Sequence, residues 1–532
     1  MIAQPTASRR EEQVVRSPDY FREPKQHVAR AIHKLSSRRH ARTSDTLGYN
    51  ARGVIRCFQV GRTQRIRDPI HDLIVFEDTE QDQIAWQLLQ TPEFQRLRRI
   101  KQLGVSEFVY PGATHSRFSH SMGAFHNARR LIELIEREIR TGRAGIKSDD
   151  NRANIARLAA LLHDIGHGPF SHAFEQARKS IADMRVKSGQ ARPKFKNHED
   201  WTAEIIENPD GNIAPILEQR VGRGTAKDIA TLLRAETPAD MYHAIVSSSF
   251  DADRLDYIQR DRYMTGTGVG AIDLRWLLDN VRIFQIDVSP SSDEAVDPVR
   301  SYTFCLDHKG REAAEDFLLA RFRLYSNVYT HKTTRGIEQL LTALFKGIAL
   351  AAENGSFAEL GLSEANPLVR FFSPGGETVK AYLALDDGVV WGALERISGG
   401  SDARLASIAK RILTRDKPYA LDIQALSFDD PEHERRAEKY LDSLLKKEFG
   451  VTVFKDEANL TLYGEIGADD EKAHKRLMIL LPTKDVREIT KLHELTVLRA
   501  DIKRKLLRYY FLDEAQRNEV KAKVEAAIRG GR

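Results

Sequence analysis

Cysteine is close to absent. Two residues, Cys57 and Cys305, among 532 cannot build a disulfide framework, and that scarcity suits a reducing compartment. Long apolar runs are missing too. The longest, 340–352, is broken by Lys346 and is too short to cross a bilayer. No stretch near the start has the apolar centre of a signal peptide. These absences lead to the expectation of a cytoplasmic chain with no membrane partner. Wholesale disorder is excluded as well, since 41% hydrophobic and 30% charged residues are an ordinary globular balance.

Charge of one sign is also lacking over most of the chain. The net charge is +6, yet residues 1–60 alone carry 12 Lys+Arg against 5 Asp+Glu. The other 472 residues hold 70 basic and 71 acidic groups and are nearly neutral. The excess is therefore a basic N-terminal arm. Two readings of it stand open: a solvated extension, or a segment that meets phosphates, single-stranded DNA among them, by diffuse attraction.

The spacing of apolar residues predicts a mainly α protein. Segments 84–103, 118–139, 155–165, 226–233 and 317–329 repeat at i, i+3, i+4. Runs 281–288 and 301–306 flank a Pro/Ser/Asp-rich stretch, 289–298, and read as a hairpin. Residues 355–376 hold four Gly and two Pro and read as a linker. The expected organisation is an arm (1–60, with a helical turn near 27–35), a core (61–354), that linker, and an α+β accessory region (377–532). Within the last, 451–454 and 460–462 are strand candidates and 486–510 reads as a long amphipathic helix.

Chemistry concentrates between residues 115 and 261, and seven of the 17 histidines lie between 115 and 198. Histidine mixed with carboxylate and no thiolate suits a divalent ion such as Mn, Mg, Fe, Co or Ni rather than a structural zinc. His120, His163, Asp164 and Asp253 form the candidate ligand set. The His163-Asp164 pair follows the apolar run 155–162 and precedes Gly166 and Gly168-Pro169, so a rigid element delivers it to a turn. Asp253 has a competing role as a helix cap, which Asp251 fits at least as well. His167, four residues after His163, can share its face, and Glu175 can orient His167 as an acid or base. The plainer alternative is that His167 and His172 only bind backbone around the Gly-Pro turn.

His120, His163-Asp164 and Asp253 resemble the H…HD…D signature of HD-domain metal-dependent phosphohydrolases. The likeness extends to Asp68-Pro-Ile-His71, Thr91-Pro-Glu-Phe-Gln95-Arg-Leu-Arg98, Pro111-Gly-Ala-Thr-His115-Ser-Arg117 and Asp253-Arg-Leu-Asp-Tyr257. These stretches, spread in order over about residues 65–350, resemble the deoxynucleoside triphosphate triphosphohydrolases. The resemblance implies a helical HD-domain core with a small β-hairpin and a C-terminal α+β accessory region. It implies hydrolysis of a dNTP to deoxynucleoside and inorganic triphosphate. It makes His167 and Glu175 the catalytic pair, assisted by His198. It puts Arg117, His172, Arg254, Tyr257 and Arg321 on phosphates, Gln102 and Asp261 on the sugar hydroxyl, and Tyr329 near sugar and base. It also implies a homo-oligomer, with a tetramer favoured, and a nucleotide effector. Gln95, Arg98, Lys309 and Lys332 match effector-site positions, whereas Gln90 and Asp307 depart from them, which counts against a guanine-specific activator.

Two other readings stand beside this one. The same metal chemistry serves a nucleotidase, phosphodiesterase or nuclease acting on another phosphate ester, because a fold alone does not choose a substrate. The basic arm suits a nucleic-acid-binding regulatory protein.

Overall fold

The computed structural model describes residues 62–142, 146–187, 195–236, 238–268, 271–287, 300–428, 430–444, 453–461, 475–492 and 503–529. The basic arm, the 27–35 turn and the 289–298 stretch lie outside them. Architecture is mainly helical, as the periodicity predicts. The described residues open on a hairpin of β1 (Gln64–Asp68) and β2 (Asp72–Phe76), closed with Asp68 opposite Asp72. Long helices follow at Arg117–Arg140, Asp150–Leu162, His172–Lys187, Ala252–Thr265, Arg311–Leu324 and Lys332–Asn354. One large apolar cluster runs through all of them, with Phe125, Leu161, Trp201, Phe317 and Leu344 fully buried. No described helix is long and apolar enough to cross a membrane.

Local chemistry sets several boundaries. The 84–103 periodicity resolves into a helix Glu80–Leu89, a short helix Pro92–Gln95 and a 3₁₀ turn Arg96–Arg99. Thr91 caps the second through Phe94 N–H, and Pro92 takes its first position, where a missing donor costs nothing. The expected 317–329 helix changes at Leu324 into a π-helical turn, Tyr325–Tyr329. Such turns are rare and frequent near functional sites.

The hairpin of β3 (Val281–Asp287) and β4 (Arg300–Asp307) forms as expected, and it grows. β7 (Met478–Leu480) pairs parallel to β4, and β8 (Val486–Glu488) pairs with β7, giving the order β3-β4-β7-β8. The accessory region thus completes a sheet begun in the core. A second sheet, β5-β9-β6, joins β5 (Tyr419–Asp422), β6 (Val453–Thr461) and β9 (Lys503–Phe511). The two strand candidates near 451–462 are the ends of the one strand β6; Val451 and Leu462 themselves lie outside the described residues.

The described residues of 486–510 contradict the helix expected there. Its ends are β8 and β9. β9 is the central strand of its sheet, and Leu506, Leu507, Tyr509, Tyr510 and Phe511 are all buried. A strand covered on both faces loses the period of two and reads as a continuous apolar run. Residues 355–376, read as a linker, carry a short helix Pro367–Phe372 whose Leu368, Val369 and Phe371 are fully buried.

Candidate active site

Three elements converge on one group of ligand atoms. His120 stands on the first turn of the Arg117–Arg140 helix, His163 caps the C-terminus of Asp150–Leu162, and Asp253 is the second residue of Ala252–Thr265. Asp251 caps that last helix through Arg254 N–H at 2.9 Å, which leaves the Asp253 carboxylate for other work. One atom each from His120, His163 and Asp253 lies within 4.8 Å of the others. His120 Nε2 is 3.3 Å from His163 Nε2 and 2.9 Å from Asp253 Oδ1.

The outer nitrogens decide what these atoms can do. His120 Nδ1 pairs with Asp256 Oδ2 at 2.7 Å, and His163 Nδ1 donates to the Ala160 carbonyl at 2.9 Å. When each ring is neutral and its one proton is held there, both Nε2 atoms can turn a lone pair to the same cation, which displaces the Nε2 proton of His120. Their separation is roughly that of two neighbouring ligands each about 2.1 Å from one ion. The residues fit a divalent cation on this ground. Burial alone would lower the His120 pKa, but hydrogen bonds to Asp253 and Asp256 outweigh it and push it up to about 10. Against a burial effect of the opposite sign, bonds to His120 and His163 hold Asp253 far below the carboxylate range. The site is an acid-rich cluster built around positive charge.

Asp164, the fourth expected ligand, lies 3.4 Å from His163 Nε2 and 3.7 Å from His120 Nε2. Its carboxylate also accepts from Arg117 Nη1 at 2.5 Å and sits 3.2 Å from His167 Nε2. Gly166 lets this turn approach the His198–Glu207 helix: a Cβ there would meet Thr202 N at 2.2 Å and the His198 carbonyl at 2.3 Å. Thr202 Oγ1 ties the turn down, donating to His163 O and accepting from Gly166 N–H, each at 3.0 Å.

The expected pairing of Glu175 with His167 is not what the fold makes. Glu175 Oε2 bonds His198 Nδ1 at 3.0 Å, and His167 stacks on His198 with ring centroids 4.2 Å apart. Burial lowers His198, the Glu175 hydrogen bond raises it more, and the net direction is up. His167 is driven well below its ordinary value by burial and then by Arg117. Its Nδ1 is buried and has no hydrogen-bond partner. The backbone-only alternative for His167 therefore fails, since Asp164 and His198 are its neighbours. His172, solvent-exposed, stands 6.4 Å from His167, ring to ring.

The remaining expected residues fall into two groups. Arg117 Nε donates to Ser171 Oγ at 3.0 Å beside the metal-ligand candidates. Tyr257 is surrounded by Tyr325, Arg321, Arg254 and Asp253, and the Arg321 guanidinium lies 5.4 Å from the Tyr325 ring centre. Asp261 sits between His115 Nε2 at 2.7 Å and the Tyr329 hydroxyl, which donates at 2.6 Å. Gln102 Oε1 is buried without a partner, while its backbone N–H donates to the His115 carbonyl.

Sequence reasoning missed Asp256. It accepts from His120, His71 and Arg260, and Arg260 reaches on to Asp68 in β1 at 2.8 Å. The signal was present: Asp253 and Asp256 are three apart and share a helix face. A cavity of about 600 Å³ lined by Arg130, Arg137, Arg140, Arg275 and Trp276 shares no residue with this site.

The HD-domain family model matches residues 117–261, the span that carries His120 through Asp261. The uncharacterized protein YwfO of Bacillus subtilis is 31% identical over 383 residues, covering 72% of this chain and 76% of that protein. The chain belongs to the HD-domain phosphohydrolases. A phosphohydrolase from Bacteroides thetaiotaomicron shares the fold of this HD protein with TM-score 0.62 at 24% identity, over 84% of this chain and 99% of that one. The deoxynucleoside triphosphate triphosphohydrolase SAMHD1 of Bos taurus is 28% identical over 330 residues, or 57% of this chain. The HD chain spans about half of that relative's length, 51%.

Proposed function

We propose that this protein hydrolyses dNTPs to deoxynucleoside and inorganic triphosphate with a divalent metal. The observation that carries the reading is the placement of the His198–Glu175 pair and Arg117 beside the His120–His163–Asp253 atoms, with the Asp261–Tyr329 pair reached through Tyr257. The similarity to a dNTP triphosphohydrolase supports it.

His120, His163 and Asp253 would hold the ion, with Asp164 beside them. When bound, it supplies charge to a phosphate oxygen and acidifies a water. Arg117, His172, Arg254, Tyr257 and Arg321 bind the phosphates, where guanidinium forks match the oxyanions. Gln102 and Asp261 meet the sugar hydroxyl, and Tyr329 packs near sugar and base. Water oxygen bonds to the α-phosphorus as the bond to the 5′ oxygen breaks. His198, held protonated by Glu175, gives its proton to that 5′ oxygen, and the proton lost by the water restores it. Positioned acid–base transfer of this kind contributes about 10²–10⁴ in rate. The stacked His167 orients His198. A homotetramer, a nucleotide effector and single-stranded DNA on the basic arm belong to the same proposal.

The test is an ion-exchange product assay with Mn or Mg, all four dNTPs singly and mixed, beside a His163→Ala/Asp164→Ala control. Deoxynucleoside plus intact triphosphate, absent in the control, is the expected result. Orthophosphate or pyrophosphate would transfer the enzyme to another phosphate ester. No product in any mixture would favour the nucleic-acid reading.

A further inference from the structure

The segment 382–387 lies far outside the HD-domain match, yet it bonds to one active-site turn after another. The Tyr382 hydroxyl donates to the Gly166 carbonyl at 2.7 Å and its ring stacks on Trp201 at 4.1 Å. The Leu385 carbonyl accepts from Arg96 Nε at 2.7 Å, and Asp386 accepts from Arg99 Nε at 2.5 Å. Asp387, 4% exposed, goes further. Its two oxygens accept backbone N–H groups from Lys101 at 2.9 Å and Phe170 at 2.8 Å. Trp391, on the same helix Asp387–Ser398, packs its ring on Phe170 at 5.9 Å.

Those two amides belong to segments that carry phosphate-binding candidates. Lys101 bridges to Ser116, and Arg117 N–H donates to the Ile100 carbonyl at 2.9 Å, so the 100–102 segment fixes where the Arg117 helix begins. Phe170 and Ser171 have φ of 51° and 43°, left-handed values that non-glycine residues hold only when the surroundings impose them. Ser171 Oγ then accepts from Arg117 Nε, and His172 follows directly. One buried carboxylate spans the two segments that aim Arg117 and His172.

We propose that Asp387 is a positioning residue for the phosphate-binding groups Arg117 and His172, which gives the accessory region a part in substrate binding. It rests on the triphosphate reading above. A carboxylate suits the task because it offers two acceptors and no donor; an amide would turn a donor toward one of the two N–H groups.

Full-length Asp387→Asn and Asp387→Glu are compared with wild type for dNTP kinetics, Mn binding and thermal midpoint. The expected result is a KM for dNTP raised at least about tenfold in Asp387→Asn, in line with supporting-residue losses elsewhere, with kcat and Mn affinity within about threefold of wild type. Asp387→Glu should recover part of the loss. An unchanged KM overturns the proposal. So does a joint fall in kcat, Mn affinity and midpoint, which would mark a merely structural group. Wild type gives a second measurement: inorganic tripolyphosphate should slow hydrogen exchange at the Lys101 and Phe170 amides, and no slowing overturns the proposal even if Asp387→Asn does not fold. If wild type makes no triphosphate from dNTPs, the proposed function falls while the exchange measurement still decides on Asp387.

Discussion

His120 Nδ1 lies 2.7 Å from Asp256 Oδ2, and this one bond selects which nitrogen of His120 faces His163 and Asp253. Asp256 is fully buried and also accepts from His71 Nε2 and twice from Arg260. Substituting Asp256→Asn leaves that set of donors one charge short. Metal affinity should fall about 10–100-fold, read by Mn titration calorimetry. Removing the partner of a buried arginine should also cost about 3 kcal/mol. Chelation should lower the thermal midpoint of wild type more than that of the variant, since less binding energy is there to lose.

Gly166 is the point of closest approach between the His163–Asp164 turn and the His198 helix. An added Cβ meets backbone atoms at 2.2 and 2.3 Å, and backbone cannot swing aside as a side-chain tip can. Gly166→Ala should therefore destabilise by about 1–3 kcal/mol. It should cut activity on the order of hundredfold, because His198 moves with its helix. Calorimetry and the product assay read the two effects separately.

The His198–Glu175 bond sets a pH window. His198 is raised above its usual value, so its contribution is fully present below about pH 6.5 and is lost as pH rises through the folded value. Glu175 is lowered: burial opposes this, and the His198 hydrogen bond prevails. Its contribution is present above about pH 4.5 and is lost as pH falls through its folded value. Glu175→Gln should bring the His198 titration down, measured by NMR on the ring proton. The alkaline limb of the activity profile should move to lower pH with it.

Tyr329 donates its hydroxyl to Asp261, and both burial and that carboxylate keep the phenol protonated. Tyr329→Phe removes one hydrogen bond and leaves Asp261 held by His115 alone. The expected cost is about 1 kcal/mol in stability. The kcat/KM for dNTP should fall several-fold while Mn affinity, set elsewhere, stays the same. Steady-state kinetics beside Mn titration distinguish these effects.

The misread stretches show where local pattern stops being informative. The 503–511 segment alternates too little to read as a strand because Tyr509 and Tyr510 are both buried, on opposite faces of β9. The 84–103 periodicity was real, but Thr91 and Pro92 restart the helix partway. The turn at Tyr325 that presents Tyr329 left no recognisable mark in the residues themselves.

Residue type alone supplies the chemistry of the site: His120, His163, Asp164 and Asp253 offer donor atoms wherever the chain places them, and helical spacing marks the elements of His120 and His163 but not the Ala252–Thr265 helix of Asp253. Tertiary structure alone decided the partners. Glu175 serves His198 because the fold brings the first turns of their two helices together, Asp256 reaches His120 across 136 residues of chain, and Asp387 reaches Lys101 across 286. Residue type fixes what a group can donate or accept, and only the packed core decides which groups are near enough to do so.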